Sequence, residues 1–149
     1  MAQYRSPSPS TRSQVMSPTL PLKPDLRTTA DVDVVVRSFY NGMEDDPVLG
    51  RFFGDADWET HLPKMTAFWS GVLFHTGEYR GRPFDPHMRL QGLERTHFSH
   101  WLVRFRAAVD EHFEGDTAER MKLKAEQIAS VFQVKLGLWE NFNASPPAP

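Results

Sequence analysis

Apolar residues recur every three or four positions through most of this chain, and that spacing excludes most folds other than helical ones. After Val32, the next members of the first run lie four, seven, eight and eleven positions on, at Val36, Phe39, Tyr40 and Met43. Residues at this spacing share one face of an α-helix. The same period continues in three later runs, at residues 58–73, 98–113 and 121–139. No run alternates apolar and polar residues for long enough to indicate a strand, so the sequence predicts an all-α fold with four main helices.

The residues that begin and interrupt these runs refine the prediction. Thr28 and Thr29 precede the first run and acidic residues follow at once, which is typical of a helix N-terminus. Pro63 interrupts the second run, and proline is tolerated without a kink only in the first turn of a helix. Two readings stay open: the regular helix begins near Thr60, which puts Pro63 in its first turn, or Pro63 kinks the helix. A fifth, short helix is expected around His87, because Asp85 and Pro86 form a favourable start directly before it.

The two ends of the chain differ in composition from the middle. Residues 1–27 contain five prolines among many serines, and residues 143–149 read NASPPAP. Segments of this kind bury too little apolar surface to order themselves. The composition predicts disordered tails at residues 1–27 and 143–149 and a single helical domain at residues 28–142.

Charge and cysteine content exclude several classes of function. The formal net charge is −2, so the domain lacks the basic character expected of a nucleic-acid-binding protein. The chain has no cysteine, which excludes disulfides, thiolate metal sites and iron–sulfur clusters. Neither a signal-peptide core nor an apolar run of membrane-spanning length is present. These features lead us to expect a cytoplasmic protein without a membrane partner.

Three polar groups fall within the apolar faces of three different helices. Tyr40 lies on the first helix, His61 on the second and Trp101 on the third. Each alone is more often a core residue, but buried polar atoms are rarely left unpaired, so together we expect them to converge on one another, on water or on a ligand. The remaining histidines of the helices are expected to be structural or surface residues: His75, His97, His100 and His112.

No recognised catalytic or metal-binding motif accounts for these groups. HExxH, a Ser–His–Asp arrangement and a glycine-rich phosphate loop are all missing from the sequence. A cofactor that needs one imidazole, an apolar slot and a few polar groups fits better. Haem meets that description, because one histidine can hold its iron while the opposite side controls a further ligand.

Three segments carry a family resemblance. SFYNGMEDDPVLGRFF, WETHLPKMTAFWSGVLFHTGEYRGRPFDPHMRL and HFSHWLVRFRAAVDEHF resemble the truncated haemoglobins, and in the order and spacing of their aromatic and histidine residues they are similar to group III. The resemblance covers about residues 30–140. It implies a two-over-two helical sandwich around non-covalent haem b, with the first helix of the family shortened or lost.

The resemblance also implies roles for individual residues. His87 matches the proximal ligand of the haem iron, and Tyr40 and Trp101 match distal residues that hold the bound ligand. His61 matches a distal histidine that either gates the pocket or contacts the ligand. The side chains that would line the haem are Phe52, Phe53, Met65, Phe68, Trp69, Leu90, Phe98 and Phe105. The expected partners of the haem propionates are Lys64, Arg82 and Arg89. Pro63 departs from the family pattern close to His61.

Three functions stay open at this point. One is a haem protein that binds or transports dioxygen, or that binds nitric oxide, carbon monoxide or cyanide. Another is a haem enzyme, such as a nitric oxide dioxygenase or peroxidase-like catalyst, that depends on a separate reductase. A haem-free helical interaction module is the third, although such a module has no need of His87 or Tyr40. A monomer or weak oligomer is expected in each case.

Overall fold

Four α-helices packed in two layers form the part of the chain that the computed structural model describes, which is residues 22–76, 90 and 92–138. The helices are α1 (Thr29–Tyr40), α2 (Trp58–Phe74), α3 (Arg95–His112) and α4 (Asp116–Lys135), and two short 3₁₀ helices, Met43–Asp45 and Gly50–Phe53, connect α1 to α2. Helix α1 packs against α2 and α3, and α4 packs against α3 and touches α2. This arrangement confirms the predicted all-α class with four main helices. Within these ranges, no helix is long and apolar enough to cross a lipid bilayer.

Some expectations lie outside the described residues. The short helix around His87 falls in the stretch between residues 77 and 89, and Trp139 follows the last described residue. Both stay predictions from the sequence.

The first helix begins where its sequence predicts. The Thr28 hydroxyl accepts a hydrogen bond from the Asp31 N–H at 3.2 Å, and the Asp31 carboxylate accepts one from the Thr28 N–H, also at 3.2 Å. This reciprocal capping box satisfies N–H groups that have no partner inside the helix. The face opposite to solvent then buries Val32, Val35 and Phe39 against the neighbouring helices.

The second helix begins at Trp58, so the reading in which it begins near Thr60 with Pro63 in its first turn is wrong. The Asp57 carbonyl accepts hydrogen bonds from the N–H groups of Thr60 and His61 at 3.1 and 2.8 Å, which extends the helix back to Trp58. Pro63 therefore lies in the second turn, with its ring exposed to solvent. Proline has no N–H to donate to the helical hydrogen bonds, and the exposed Pro63 ring does not enter the core.

The residues directly before α1 pack against the helices, although the composition predicts a tail up to residue 27. Leu26 is only 2% exposed and lies in the main core. The Pro24 carbonyl accepts a hydrogen bond from the Glu114 N–H at 2.9 Å, close to the start of α4. A composition rule averaged over 27 residues cannot detect a single buried leucine at one end of the window, which is why the sequence placed this residue in a tail.

Stacked aromatic rings form the centre of the sandwich. Phe105 of α3 stacks on Trp69 of α2 with ring centroids 4.9 Å apart, and on Trp101 with centroids 5.3 Å apart. Phe39 of α1 meets Phe105 edge-on at 5.4 Å. These contacts join three helices through rings whose offset and edge-to-face geometries are favourable. The position of Tyr40, next to Phe39, is thereby tied to the core.

Candidate functional site

Tyr40 and His61 come together at the junction of α1 and α2. Tyr40 is the last residue of α1 and His61 lies in the first turns of α2, and their ring centroids are 5.0 Å apart in an edge-to-face arrangement. Phe53 and Trp58 complete the cluster, at 5.8 and 5.2 Å from the Tyr40 ring. Two of the three polar groups expected to converge therefore do so, within an aromatic enclosure.

Burial sets the protonation state of Tyr40. Desolvation of the phenol raises the pKa of Tyr40 well above its ordinary value, since the ionised form loses its hydration. The side chain consequently stays neutral at physiological pH and keeps its O–H proton. A neutral phenol in this position can donate a hydrogen bond to a ligand that enters the enclosure.

Trp58 closes one side of the cluster. Its indole N–H donates to the Glu44 carboxylate with a nitrogen–oxygen distance of 2.6 Å, and its ring stacks on Phe53 with centroids 5.8 Å apart. The hydrogen bond joins the start of α2 to the first 3₁₀ helix. The sequence analysis placed Trp58 only in an apolar face, although its position three residues before His61 could have indicated a neighbour of that histidine.

Trp101 is linked to the Tyr40–His61 pair indirectly, through the ring of Phe39. It is half-buried on α3, and its ring centroid lies 5.7 Å from that of Phe39. Phe39 in turn contacts Tyr40, with centroids 4.7 Å apart. The three expected distal residues thus lie in one continuous aromatic layer, with Tyr40 and His61 in direct ring contact and Trp101 linked to them by Phe39.

The other residues expected at the site divide by their burial. Phe52, Phe53, Met65, Phe68 and Leu90 are half-buried, and Phe98, Trp69 and Phe105 are buried among protein side chains. Lys64 is exposed. His87, Arg82 and Arg89 lie outside the described residues. Half-buried aromatic and aliphatic side chains on α2 and in the 3₁₀ region leave apolar surface available to an apolar ligand.

A buried charged network near the site was missed by the sequence analysis. The Asp46 side chain is 4% exposed, and its Oδ1 accepts hydrogen bonds from the N–H groups of Val48 and Leu49, both at 2.8 Å. Its Oδ2 lies 2.8 Å from His100 Nε2 and 3.0 Å from Arg104 Nη1. The sequence patterns assigned no role to Asp46, and His100 was expected to be a structural or surface residue. The aspartate–proline pair at 46–47 was the available indication, since aspartate side chains in such turns bind N–H groups two residues on.

Opposing effects determine the charge of Asp46. Burial alone raises the pKa of Asp46, but the hydrogen bond and the charge of His100, together with the two backbone N–H donors, lower that pKa to about 2. The carboxylate is therefore ionised over the physiological range. A charge held this firmly serves as a fixed anchor for the cationic side chains of α3.

Comparisons with known proteins identify the family of this chain. The sequence model of the family described as bacterial-like globin matches residues 26–133. A group 3 truncated hemoglobin of Campylobacter jejuni is 30% identical over 101 residues, which cover 64% of this chain and 80% of that protein. The crystal structure of a group III truncated hemoglobin from Campylobacter jejuni superposes with a TM-score of 0.70 at 27% identity, covering 77% of this chain and 95% of that one. The chain therefore belongs to the bacterial-like globin family, and its sequence and fold are similar to those of the group III truncated haemoglobins.

Proposed function

We propose that this chain binds haem b and that Tyr40 and His61 hold a small ligand on its distal side. The observation that carries the proposal is the neutral phenol of Tyr40 in contact with the His61 imidazole inside an aromatic enclosure. Haem binding and small gaseous ligands are general properties of globins, the family to which the chain belongs. The proposal assigns those properties to particular side chains.

The chemistry of the residues present fits a porphyrin. A flat apolar cofactor needs apolar side chains that are not already enclosed, and Phe52, Met65 and Phe68 are half-buried. Met65 and Phe68 lie four and seven positions after His61, on the same face of α2. Among residues 22–76, 90 and 92–138, no cluster of three or more histidine, cysteine or acidic side chains could hold a bare metal ion. His87 is the residue proposed, from the sequence resemblance, to hold the haem iron.

When bound, haem supplies an iron atom that accepts a diatomic ligand. The part of this chain is to orient and retain that ligand. Because the Tyr40 phenol stays protonated, its O–H can donate to an electronegative ligand atom. His61 contributes a second polar side chain from α2, and the N–H of Trp101 is proposed as a third. The Trp58–Glu44 hydrogen bond and the stacking of Trp58 on Phe53 hold the indole against one side of the enclosure.

The proposal is tested by the absorption spectrum of the purified protein reconstituted with haemin, reduced, and exposed to carbon monoxide. We expect a stoichiometric Soret band that shifts sharply with carbon monoxide in the wild type and is lost or greatly altered in His87→Ala. His112→Ala is the matched control, because that half-buried histidine lies at the far end of α3 and should leave the spectrum unchanged. If the wild type shows no stoichiometric haem band, the globin function is excluded for this chain.

The same sample separates ligand binding from enzymatic turnover. The proposed enzymatic alternative is detoxification of reactive oxygen or nitrogen species with electrons from a separate reductase. Sustained consumption of nitric oxide by the dioxygen-loaded protein, supplied with a reductant, would assign that role. Reversible binding without turnover would leave the chain as a ligand-binding protein. Fold and family cannot make this choice, because globins of one fold serve different functions.

A further inference from the structure

The carboxyl-terminal end of α1 is held from outside the helix. The last carbonyl groups of an α-helix lack partners within it, and a cation near them is favourable because the helix dipole is negative there. The carbonyl oxygen of Phe39 is one of these groups, and it accepts a hydrogen bond from Arg104 Nη2 at 3.1 Å. Arg104 therefore caps α1 from α3, at the residue directly before Tyr40.

Arg104 is itself fixed by Asp46. Arg104 Nη1 donates to Asp46 Oδ2 at 3.0 Å, so the planar guanidinium spans the carboxylate and the Phe39 carbonyl. Arg104 Nε is buried without a hydrogen-bond partner. The guanidinium is therefore oriented by two acceptors, the Asp46 carboxylate and the Phe39 carbonyl oxygen. A planar fork that reaches two acceptors constrains their separation as a single ammonium group cannot.

The anchor under Arg104 is rigid. Asp46 is held by the Val48 and Leu49 N–H groups, and the Asp46 carbonyl accepts from the Gly50 N–H at 2.8 Å. A Cβ atom on Gly50 would lie 2.3 Å from the Glu44 carbonyl oxygen, so the two 3₁₀ helices are in close backbone contact there. Movement of Asp46 would require this whole connection to rearrange.

Fixing the Phe39 carbonyl constrains Tyr40 directly. The peptide group is planar, so the Phe39 carbonyl, the Tyr40 N–H and the Tyr40 Cα lie in one plane. A hydrogen bond that sets the direction of the carbonyl therefore limits rotation of the plane that carries the Tyr40 side chain. Tyr40 is the final residue of α1, where helices otherwise fray.

From this geometry we infer that Asp46 and Arg104 are positioning residues for Tyr40, and that the Asp46–Arg104–Phe39 linkage keeps the phenol aimed at the ligand. Neither residue touches the ligand in this account. The inference rests on the proposed function for its effect on ligand retention, whereas its effect on the Tyr40 side chain can be measured without haem.

Arg104→Lys tests the linkage, because lysine keeps the positive charge but cannot reach both acceptors as a planar fork. The measurement is the dissociation rate of dioxygen from the reduced haem protein, by stopped-flow displacement with carbon monoxide. We expect Tyr40→Phe to raise this rate about tenfold or more, because the variant loses one hydrogen bond to a charged or polarised ligand. Arg104→Lys should raise it about threefold or more in the Tyr40 protein and leave it unchanged in the Tyr40→Phe background.

Two controls keep the outcome decisive. Arg106 is an arginine of the same helix, and it pairs with Glu126 at the protein surface. Arg106→Lys should leave the dioxygen dissociation rate unchanged in both the wild type and the Tyr40→Phe variant. If Arg104→Lys fails to fold, Asp46→Asn replaces it, since the amide removes the charge that orients the guanidinium at nearly unchanged volume. An equal change in both Tyr40 backgrounds, or none in either, would overturn the inference.

A second readout uses the haem-free protein. The chain has three tyrosines, so selective labelling of tyrosine rings gives a simple NMR spectrum in which Tyr40→Phe identifies the Tyr40 signal. We expect this signal to shift or broaden in Arg104→Lys and to stay in place in Arg106→Lys, because Tyr40 lies among aromatic rings that shift its resonances. An unchanged Tyr40 signal in Arg104→Lys contradicts the positioning role even if the wild type binds no haem.

Discussion

At the scale of single residues, Asp46 shows how a buried charge becomes useful. An ionised carboxylate in an apolar interior is costly unless hydrogen bonds replace its hydration. Asp46 has two backbone N–H donors, His100 and Arg104 around its two oxygen atoms. With these donors in place the charged form is favoured in the folded protein. Asp46 joins the connection after α1 to α3, and Arg104 extends this link to the end of α1. Removal of Asp46 should therefore affect both stability and the geometry of Tyr40.

Asp46 should make the folded state sensitive to acid. Its pKa is lowered from 3.8 to about 2, so the folded protein gains about 2 kcal/mol from ionisation of this group. Because the pKa is depressed on folding, this contribution is complete above about pH 4 and is lost as the pH falls toward 2. We expect the difference in unfolding free energy between the wild type and Asp46→Asn to be largest near neutral pH and to shrink across that range. Urea titrations at several pH values measure it, and a pH-independent difference would contradict this account.

At the scale of elements, the start of α4 is capped by a residue far away in sequence. The Asp25 carboxylate accepts hydrogen bonds from the N–H groups of Thr117 and Ala118, both at 2.9 Å. Gly115 has a φ of 140°, and a Cβ atom there would lie 2.6 Å from the Asp25 carboxyl carbon. Glycine is needed at this position both for the backbone conformation and for the approach of the capping group. The helix therefore begins correctly only when the segment before α1 is in place.

Asp25→Ala should weaken the start of α4. Loss of the side-chain acceptor leaves two N–H groups of the first turn without their partner, which costs about 1 kcal/mol as for other helix caps. Burial alone raises the pKa of Asp25, but the N–H donors of Thr117, Ala118 and Leu26 outweigh it and lower that pKa. Asp55→Ala is the matched control, since Asp55 is exposed in the turn before α2. Equal unfolding free energies for the two variants in urea would show that Asp25 is not a cap.

At the scale of the whole molecule, residues before α1 hold the sandwich together at its α4 end. Leu26 is buried in the core and Asp25 caps α4, while the Glu114 carboxylate accepts from the N–H groups of Leu22 and Lys23 at 3.0 and 3.2 Å. The chain thus joins its first described residues to the turn between its last two helices. Contacts across so many residues close a long loop, and the entropic cost of closing it grows only slowly with its length.

Two truncations should distinguish this segment from the residues before it. A chain that begins at residue 22 keeps Leu26 and Asp25, and we expect it to unfold at the same urea concentration as the full chain. A chain that begins at residue 28 loses the burial of Leu26 and the cap from Asp25, which together should cost about 3–5 kcal/mol. Thermal and urea unfolding of both chains measure the effect. Equal stability of the two truncated chains would show that residues 22–27 do not stabilise the helical fold.

Local patterns were sufficient to predict much of the fold and part of the site. The helical period identified α1, α3 and α4 closely, and Thr28 marked the start of α1, because a cap and an amphipathic face are properties of neighbouring residues. The same period identified Tyr40 and His61 as polar residues on buried faces. The start of α2 stayed open because Pro63 fits either a first turn or a kink, and the two helical hydrogen bonds of the Asp57 carbonyl could not be known beforehand.

The sequence by itself determined the helices, the apolar face of each and the polar residues set within those faces. Only the tertiary structure decided that Tyr40 meets His61 across two helices, that Leu26 belongs to the core, and that Asp46 pairs with Arg104. The physical reason is the separation in sequence between the residues that interact. Helix formation depends on residues three or four positions apart, whereas the Asp46–Arg104 pair joins positions 58 residues apart and exists only after the helices have packed.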